Sequence, residues 1–81
     1  MSDEIFKKVR RVISDQLGVE GSEISTTSHL QEDLDADTLS KGDLIDAIEK
    51  EFNVEFEPEQ TSNVNTVEDL VNIVSDQLGD I

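Results

Sequence analysis

The stretch DLDADTLSKGDLIDAIEKEF, residues 33–52, leads from an acidic segment into an amphipathic helix. Asp37 is a residue type favoured at helix N-caps, so this pattern predicts a helix over residues 37–52. Apolar residues recur at helical spacing and predict a buried face made of Leu44, Ile45, Ile48 and Phe52. The same spacing predicts a second stripe, facing away from the core, made of Thr38, Gly42, Asp46 and Glu49.

Three further helices are predicted on either side of this stretch. The first covers residues 3–17, with Ser2 as its cap, Gly18 as its stop and an apolar face made of Ile5, Val9, Val12, Ile13 and Leu17. Pro58 begins a short helix over residues 58–63. Thr66, with an aspartate three residues later, begins the last helix over residues 66–78, whose inward face is made of Val67, Leu70, Val71, Val74 and Leu78.

The segments between the helices are predicted to be irregular. Residues 18–36 form a long loop held by Ile24, Leu30 and Leu34, and residues 52–56, with a strand-like alternation, form an extended connector. The pentapeptide Ser-Asp-Gln-Leu-Gly occurs twice, and both copies are typical of a helix end closed by glycine. We therefore expect residues 1–81 to form a single domain of the all-α class, a small four-helix bundle with three longer helices and one short helix.

Composition excludes several classes of function. The net charge of −14 makes nucleic acids and anionic membranes poor partners, and the absence of cysteine excludes disulfides and thiolate catalysis. The single histidine, His29, has no serine–aspartate arrangement nearby, so the chain is not predicted to be an enzyme. No apolar run approaches the roughly 20 residues that cross a bilayer, and the acidic N-terminus does not resemble a signal peptide. We expect a cytoplasmic monomer.

The whole chain resembles the acyl carrier protein family. Residues 35–39, Asp-Ala-Asp-Thr-Leu, look like that family's Gly-Ala-Asp-Ser-Leu, in which the serine carries 4′-phosphopantetheine. Residues 30–34 resemble the family's approach to this site, and residues 66–69, Thr-Val-Glu-Asp, resemble the start of its last helix. The second helix matches the family at Leu44, Ala47, Ile48, Glu49, Glu51 and Phe52. The resemblance also implies the fold predicted above, a bundle of acyl-carrier type.

The resemblance implies that Thr38 is the attachment residue, flanked by Asp37 and Leu39, and that 4′-phosphopantetheine is the cofactor. The thiol of that group would hold acyl intermediates as thioesters for fatty-acid, polyketide or related lipid biosynthesis. The implied partners are a phosphopantetheinyl transferase and acyl-transfer or synthase enzymes with basic surfaces. These enzymes would contact a partner surface made of Asp37, Gly42, Asp43, Asp46, Glu49 and Glu51.

The sequence departs from the family pattern on the stripe that presents the cofactor. Thr38 replaces serine, Gly42 and Asp46 stand where the family usually has apolar residues, and Asp35 replaces glycine. Threonine keeps a hydroxyl, but its extra methyl stiffens χ1 and adds bulk at the reacting oxygen. Two interpretations follow. One is a carrier loaded at Thr38, and the other is an unloaded carrier-fold module that docks on basic enzymes through its acidic surface.

Two neighbouring features suggest other chemistry. Ser40 is a second hydroxyl, but it lies about 200° around the helix from Thr38 and follows leucine instead of aspartate. The alternating aspartates of residues 33–37 match the start of an EF-hand calcium loop. The match fails later in the loop, where Thr38 replaces the required glycine and Leu44 replaces the bidentate glutamate. A specific calcium site is therefore not predicted.

Charge repulsion predicts a stability that depends on salt. Residues 32–59 hold eleven acidic and two basic residues, a net charge of −9. Screening weakens repulsion between like charges, so we expect the urea midpoint of unfolding to rise between about 0.02 and 0.5 M sodium chloride. A midpoint that stays constant or falls over this range would contradict the expectation.

Overall fold

The computed structural model describes residues 3–79. Within this range the helices are α1 (Asp3–Leu17), α2 (Thr38–Phe52), α3 (Pro58–Ser62) and α4 (Val67–Leu78), with a single 3₁₀ turn at Gly21–Glu23. The described residues contain no strand, so the predicted all-α bundle of three longer helices and one short helix is confirmed. In the same range, no helix has both the length and the apolar character needed to cross a membrane.

One apolar core joins the three longer helices. The loop residues Ile24, Leu30 and Leu34 are buried in it, as predicted. Burial of each large apolar side chain contributes about 1.5–3 kcal/mol relative to leaving it exposed, so this cluster is the main stabilising element. The helices supply to it Ile5, Val9, Val12, Ile13, Leu44, Ile48, Val67, Leu70, Val71 and Val74.

The edge of the core differs from the sequence prediction at several positions. Leu17, Ile45 and Phe52 pack against the core but are only half-buried. The prediction that Leu78 faces inward is wrong, because this side chain is 47% exposed. The buried residues of α4 end at Val74, so its last turn extends beyond the core.

The helix ends follow the local signals in the sequence. Gly18 and Gly79 both adopt left-handed backbone, with φ of 69° and 71°, so each copy of the repeated pentapeptide closes a helix as predicted. At the start of α4, Thr66 Oγ1 accepts a hydrogen bond from the Asp69 amide at 3.2 Å, and the Asp69 carboxylate accepts one from the Thr66 amide at 3.0 Å. The predicted capping box is therefore confirmed. The expected Ser2 cap lies outside the described residues.

The long loop is held against the start of α4. The Leu30 amide donates to the Asn65 carbonyl at 2.9 Å, and the Val67 amide donates to the Ser28 carbonyl at 3.0 Å. These two bonds form an isolated antiparallel bridge, which the sequence did not predict because so short a pairing has no periodic pattern. The bridge connects the loop to the start of α4, whose residues Val67, Leu70, Val71 and Val74 are fully buried.

Two side-chain contacts connect other parts of the bundle. Arg11 Nη2 of α1 donates to Glu51 Oε2 of α2 at 2.8 Å. Gln77 Nε2 of α4 donates to Gln60 Oε1 of α3 at 3.2 Å. Both are exposed contacts of modest energy, so they orient the helices around a core that supplies most of the stability.

Gly42 provides a test of helix stability. It lies in the middle of α2, outside the left-handed region, and a Cβ added there would meet no atom within 4 Å. Alanine reduces the freedom of the unfolded chain at no steric cost, so Gly42→Ala should raise the free energy of unfolding by about 0.5–1 kcal/mol. Gly18→Ala is the matched control: its Cβ also meets open space, but its φ of 69° should make alanine destabilising. Urea denaturation measures both, and equal effects would contradict the prediction.

Asp69 provides a test of pH dependence. The Asn65 amide, donating at 2.9 Å, lowers the pKa of Asp69 below its ordinary value; partial burial opposes this and the Thr66 amide adds to it. Folded Asp69 therefore binds protons more weakly than unfolded Asp69. Its contribution is present above the unfolded pKa of about 3.9 and is lost as the pH falls through the folded pKa. Asp69→Asn should cost about 1 kcal/mol at pH 7 and less near pH 3.

Urea unfolding at both pH values measures this cost. Asp76→Asn is the control, because Asp76 is an exposed acid on α4 whose side chain makes no hydrogen bond within residues 3–79. Its substitution should change stability little at either pH. A cost of Asp69→Asn that stays constant from pH 7 to pH 3 would be inconsistent with a carboxylate that stabilises the fold in its ionised form.

Candidate functional site

The first turn of α2 is set by the Asp37 carboxylate. Asp37 Oδ1 accepts a hydrogen bond from the Ser40 amide at 2.8 Å, and the Asp37 carbonyl accepts one from the Lys41 amide at 2.8 Å. The predicted N-cap is therefore confirmed. The Ser40 amide, followed by the Ser40 hydroxyl, lowers the pKa of Asp37, so this cap is ionised at neutral pH. Thr38 becomes the first residue of the helix.

The loop fixes the position of this cap. The Ala36 amide donates to the Leu30 carbonyl at 2.8 Å, and the Leu30 amide is bonded to Asn65 next to α4. Ala36 is 1% exposed, so the residue directly before Asp37 is anchored in the interior. Asp35 adopts left-handed backbone with φ of 59°, a conformation that favours glycine and that aspartate tolerates.

The two hydroxyls near the cap have different surroundings. Thr38 is exposed, and within residues 3–79 no hydrogen bond engages its side chain. Ser40 is half-buried, its amide is bonded to Asp37, and its hydroxyl helps to lower the pKa of Asp37. Thr38 therefore presents the accessible hydroxyl at this helix end.

Thr38 lies beside an open groove between α2 and α3, which we call the α2–α3 groove. Leu39 forms an apolar wall with 76% of its surface exposed, and the half-buried Ile45 adds to the apolar surface. Gly42 contributes only backbone. Apolar surface beside one accessible hydroxyl suits a flexible arm or an apolar group of a partner. The groove is lined by Thr38, Leu39, Gly42, Asp43, Ile45, Asp46 and Thr61.

Four of the six predicted partner residues surround Thr38. Asp37 precedes it, and Gly42, Asp43 and Asp46 line the α2–α3 groove. All four are exposed. The structure therefore brings together the attachment candidate, an apolar wall and three carboxylates on one side of α2.

The other two predicted partner residues make contacts within the chain. Glu49 Oε2 accepts a hydrogen bond from the Phe56 amide at 2.8 Å, which holds the connector after α2. Glu51 pairs with Arg11 at 2.8 Å on the side of α2 that faces α1. The sequence placed both on the partner surface, and their role toward partners stays a prediction. No local signal reveals these contacts, because they depend on the packing of distant segments.

The alternating aspartates have structural roles in the loop and the helix cap. Asp33 Oδ2 accepts a hydrogen bond from the His29 amide at 2.7 Å, and Asp37 caps α2. Within residues 3–79, no three acidic or histidine side chains are grouped so as to hold a metal ion. His29 is exposed and lies in the bridge to Thr66. These contacts account for two of the three aspartates in the pattern that resembles the start of a calcium loop.

Thr61 was not anticipated as a site residue. It belongs to α3, its Oγ1 donates to the Pro58 carbonyl at 3.2 Å, and it forms the far side of the α2–α3 groove. Nothing in its local sequence distinguishes it from any polar residue of a short helix. Its place in the site follows only from the packing of α3 beside α2.

Comparison with protein families gives one match along most of the chain. The family model described as a phosphopantetheine attachment site matches residues 7–74. This range contains the capped start of α2 and the α2–α3 groove.

Several curated relatives carry the name acyl carrier protein. The protein of Petrotoga mobilis is 42% identical over 76 residues, covering 94% of this chain and 89% of the relative. That of Picosynechococcus is 37% identical over 79 residues, 98% of each chain, and that of Thermotoga maritima is 38% identical over 77 residues, 95% of each chain. From this extended similarity and the family match over residues 7–74, the chain belongs to the acyl carrier protein family.

Proposed function

We propose that this chain carries acyl intermediates as thioesters on a 4′-phosphopantetheine arm attached to Thr38. The observation that supports the proposal is the exposed Thr38 hydroxyl at the start of α2, which no hydrogen bond engages within residues 3–79. Acyl carrier proteins are carriers and not catalysts, so the chain itself is not an enzyme.

The first turn of α2 suits a phosphate ester on Thr38. The N-terminal end of a helix presents unpaired amide groups and the positive end of the helix dipole, both of which favour negative charge. Asp37 occupies the Ser40 amide, so a phosphate on Thr38 would lie beside this cap on the exposed side of the turn. When bound, the phosphopantetheine arm supplies a thiol that holds acyl groups as thioesters.

Threonine offers the required nucleophile with added bulk. Thr38 Oγ1 would lose its proton and attack the phosphorus that carries the pantetheine arm of coenzyme A within a transferase active site, breaking the P–O bond of the diphosphate and releasing adenosine 3′,5′-bisphosphate. Its methyl restricts χ1 and crowds that approach, and a misplacement of about 1 Å can cost about 100-fold in rate. We therefore propose that Thr38 is loaded more slowly than a serine would be at the same position.

Leu39 and the nearby acids form the proposed docking surface for the transferase and for acyl-transfer or synthase enzymes. Burying an exposed leucine contributes about 1.5–3 kcal/mol, and Leu39 is 76% exposed, so it offers an apolar anchor. Asp43 and Asp46 line the same groove. Their carboxylates would mainly raise the association rate with basic surfaces and select among partners.

The proposed pathway is fatty-acid, polyketide or related lipid biosynthesis. The single domain over residues 1–81, the monomeric state and the cytoplasmic location stay predictions. The alternative function, an unloaded acidic module that docks on basic enzymes, is supported by Gly42 and Asp46, which reduce the apolar surface of α2. The two functions differ in whether Thr38 accepts the arm.

Intact-mass spectrometry after incubation with coenzyme A and a broad-specificity phosphopantetheinyl transferase distinguishes them. We expect the wild-type chain and Ser40→Ala to gain the mass of one phosphopantetheine, and Thr38→Ala to gain none. Thr38→Ser should gain the same mass at a rate up to about 100-fold higher. Circular dichroism of each variant controls for folding.

Other outcomes have defined meanings. A gain that survives in Thr38→Ala and disappears in Ser40→Ala would move the attachment site to Ser40. Loading of Thr38→Ser alone would contradict attachment at Thr38, because the docking surface would then be competent and the threonine inert. Absence of loading in every folded variant would favour the unloaded interaction module.

A further inference from the structure

We infer that Gly42 is a specificity-determining residue for loading, because it leaves the space that a transferase needs to reach the secondary hydroxyl of Thr38. The inference rests on the proposed attachment at Thr38. Glycine at position 42 lowers the stability of α2, and no contact within the folded chain requires it.

The fold does not require glycine at position 42. Gly18 and Gly79 adopt left-handed backbone and close helices, whereas Gly42 lies inside α2 without positive φ. A Cβ built on Gly42 meets no atom within 4 Å, so no neighbouring segment is packed against this backbone. Glycine at position 42 therefore serves the contact of this surface with a partner, and not packing within the chain.

Gly42 lies where a side chain would cover Thr38. Residues four apart on a helix are neighbours on one face, with Cβ atoms about 5–6 Å apart. Helical side chains also tilt toward the N-terminus, so a side chain at position 42 would lean over the preceding turn. That turn begins with Thr38, and both residues line the α2–α3 groove. Glycine therefore leaves the approach to the Thr38 hydroxyl open.

The missing side chain at Gly42 offsets the added methyl at Thr38. The methyl occupies space on one side of Oγ1 and limits its rotamers, so fewer directions of attack remain. A side chain at position 42 would obstruct these directions further, whereas bare backbone lets the wall of the transferase come closer. Leu39 and Asp43 remain on the groove for recognition. Gly42 thus restores the space around Oγ1 that the methyl of Thr38 removes.

Loading kinetics in a double-mutant cycle test this pairing. The variants are Gly42→Ala and Gly42→Leu, each made in the wild-type chain and in the Thr38→Ser chain, with kcat/KM for transfer from coenzyme A as the readout. In the wild-type chain, Gly42→Leu should lower kcat/KM by about 10-fold or more, with Gly42→Ala intermediate. In the Thr38→Ser chain, the same changes should alter it by less than about threefold.

A control separates local space from general effects of a leucine on α2. Lys50→Leu places the same side chain at an exposed position about 12 Å further along the helix than Gly42 and about 18 Å from Thr38, and it should change kcat/KM for loading by less than about twofold. Circular dichroism should show all variants folded. A slower reaction of Gly42→Leu then reflects access to Thr38.

The remaining outcomes overturn one claim or both. If Gly42→Leu has no effect on loading, or the same effect with threonine and with serine, the pairing is wrong while attachment at Thr38 stands. If only chains that carry Thr38→Ser are loaded, attachment at Thr38 is wrong and the pairing falls with it.

Discussion

The hydrogen bond from the Ser40 amide to the Asp37 carboxylate, 2.8 Å long, determines which side chain this protein presents. It closes the first turn of α2, engages Ser40 and makes Thr38 the first helical residue. Because successive residues lie about 100° apart around a helix, the burial of Leu44 and Ile48 fixes the direction in which Thr38, as part of the same helix, faces the α2–α3 groove. The loop protects this geometry, since Ala36 is buried and bonded to Leu30, which in turn contacts the start of α4.

The two sides of α2 obey different constraints. Leu44 and Ile48 are fully buried, and Glu51 pairs with α1, so this side holds the bundle together. The side beside Thr38 carries an exposed leucine, Leu39, and a mid-helix glycine, Gly42, neither of which benefits the folded chain. Proteins commonly keep such unfavourable residues where a surface must meet a partner. The cost to stability on one side of the helix is consistent with a binding role on that side.

Local signals predicted the helices and their ends because caps and periodicity act over a few residues. Asp37 and Thr66 cap the starts of α2 and α4, and Gly18 and Gly79 end α1 and α4, as their residue types favour. The prediction that Leu78 faces inward was wrong because helical periodicity does not show where the core ends along the helix. In the site, the Asp-Thr-Leu motif pointed to Thr38. Only the fold showed that Ser40 interacts with the Asp37 cap and that Thr61 lines the α2–α3 groove. These relations depend on tertiary packing, which no short pattern encodes.

The most direct test of the central claim, that the Asp37 cap leaves Thr38 as the reactive hydroxyl, is a proton–phosphorus correlation spectrum of the wild-type chain after treatment with coenzyme A and a transferase. The predicted result is one protein-bound phosphodiester whose phosphorus couples to the single β-proton of Thr38. Coupling to the β-protons of Ser40 would contradict the claim, and so would the absence of any protein-bound phosphorus.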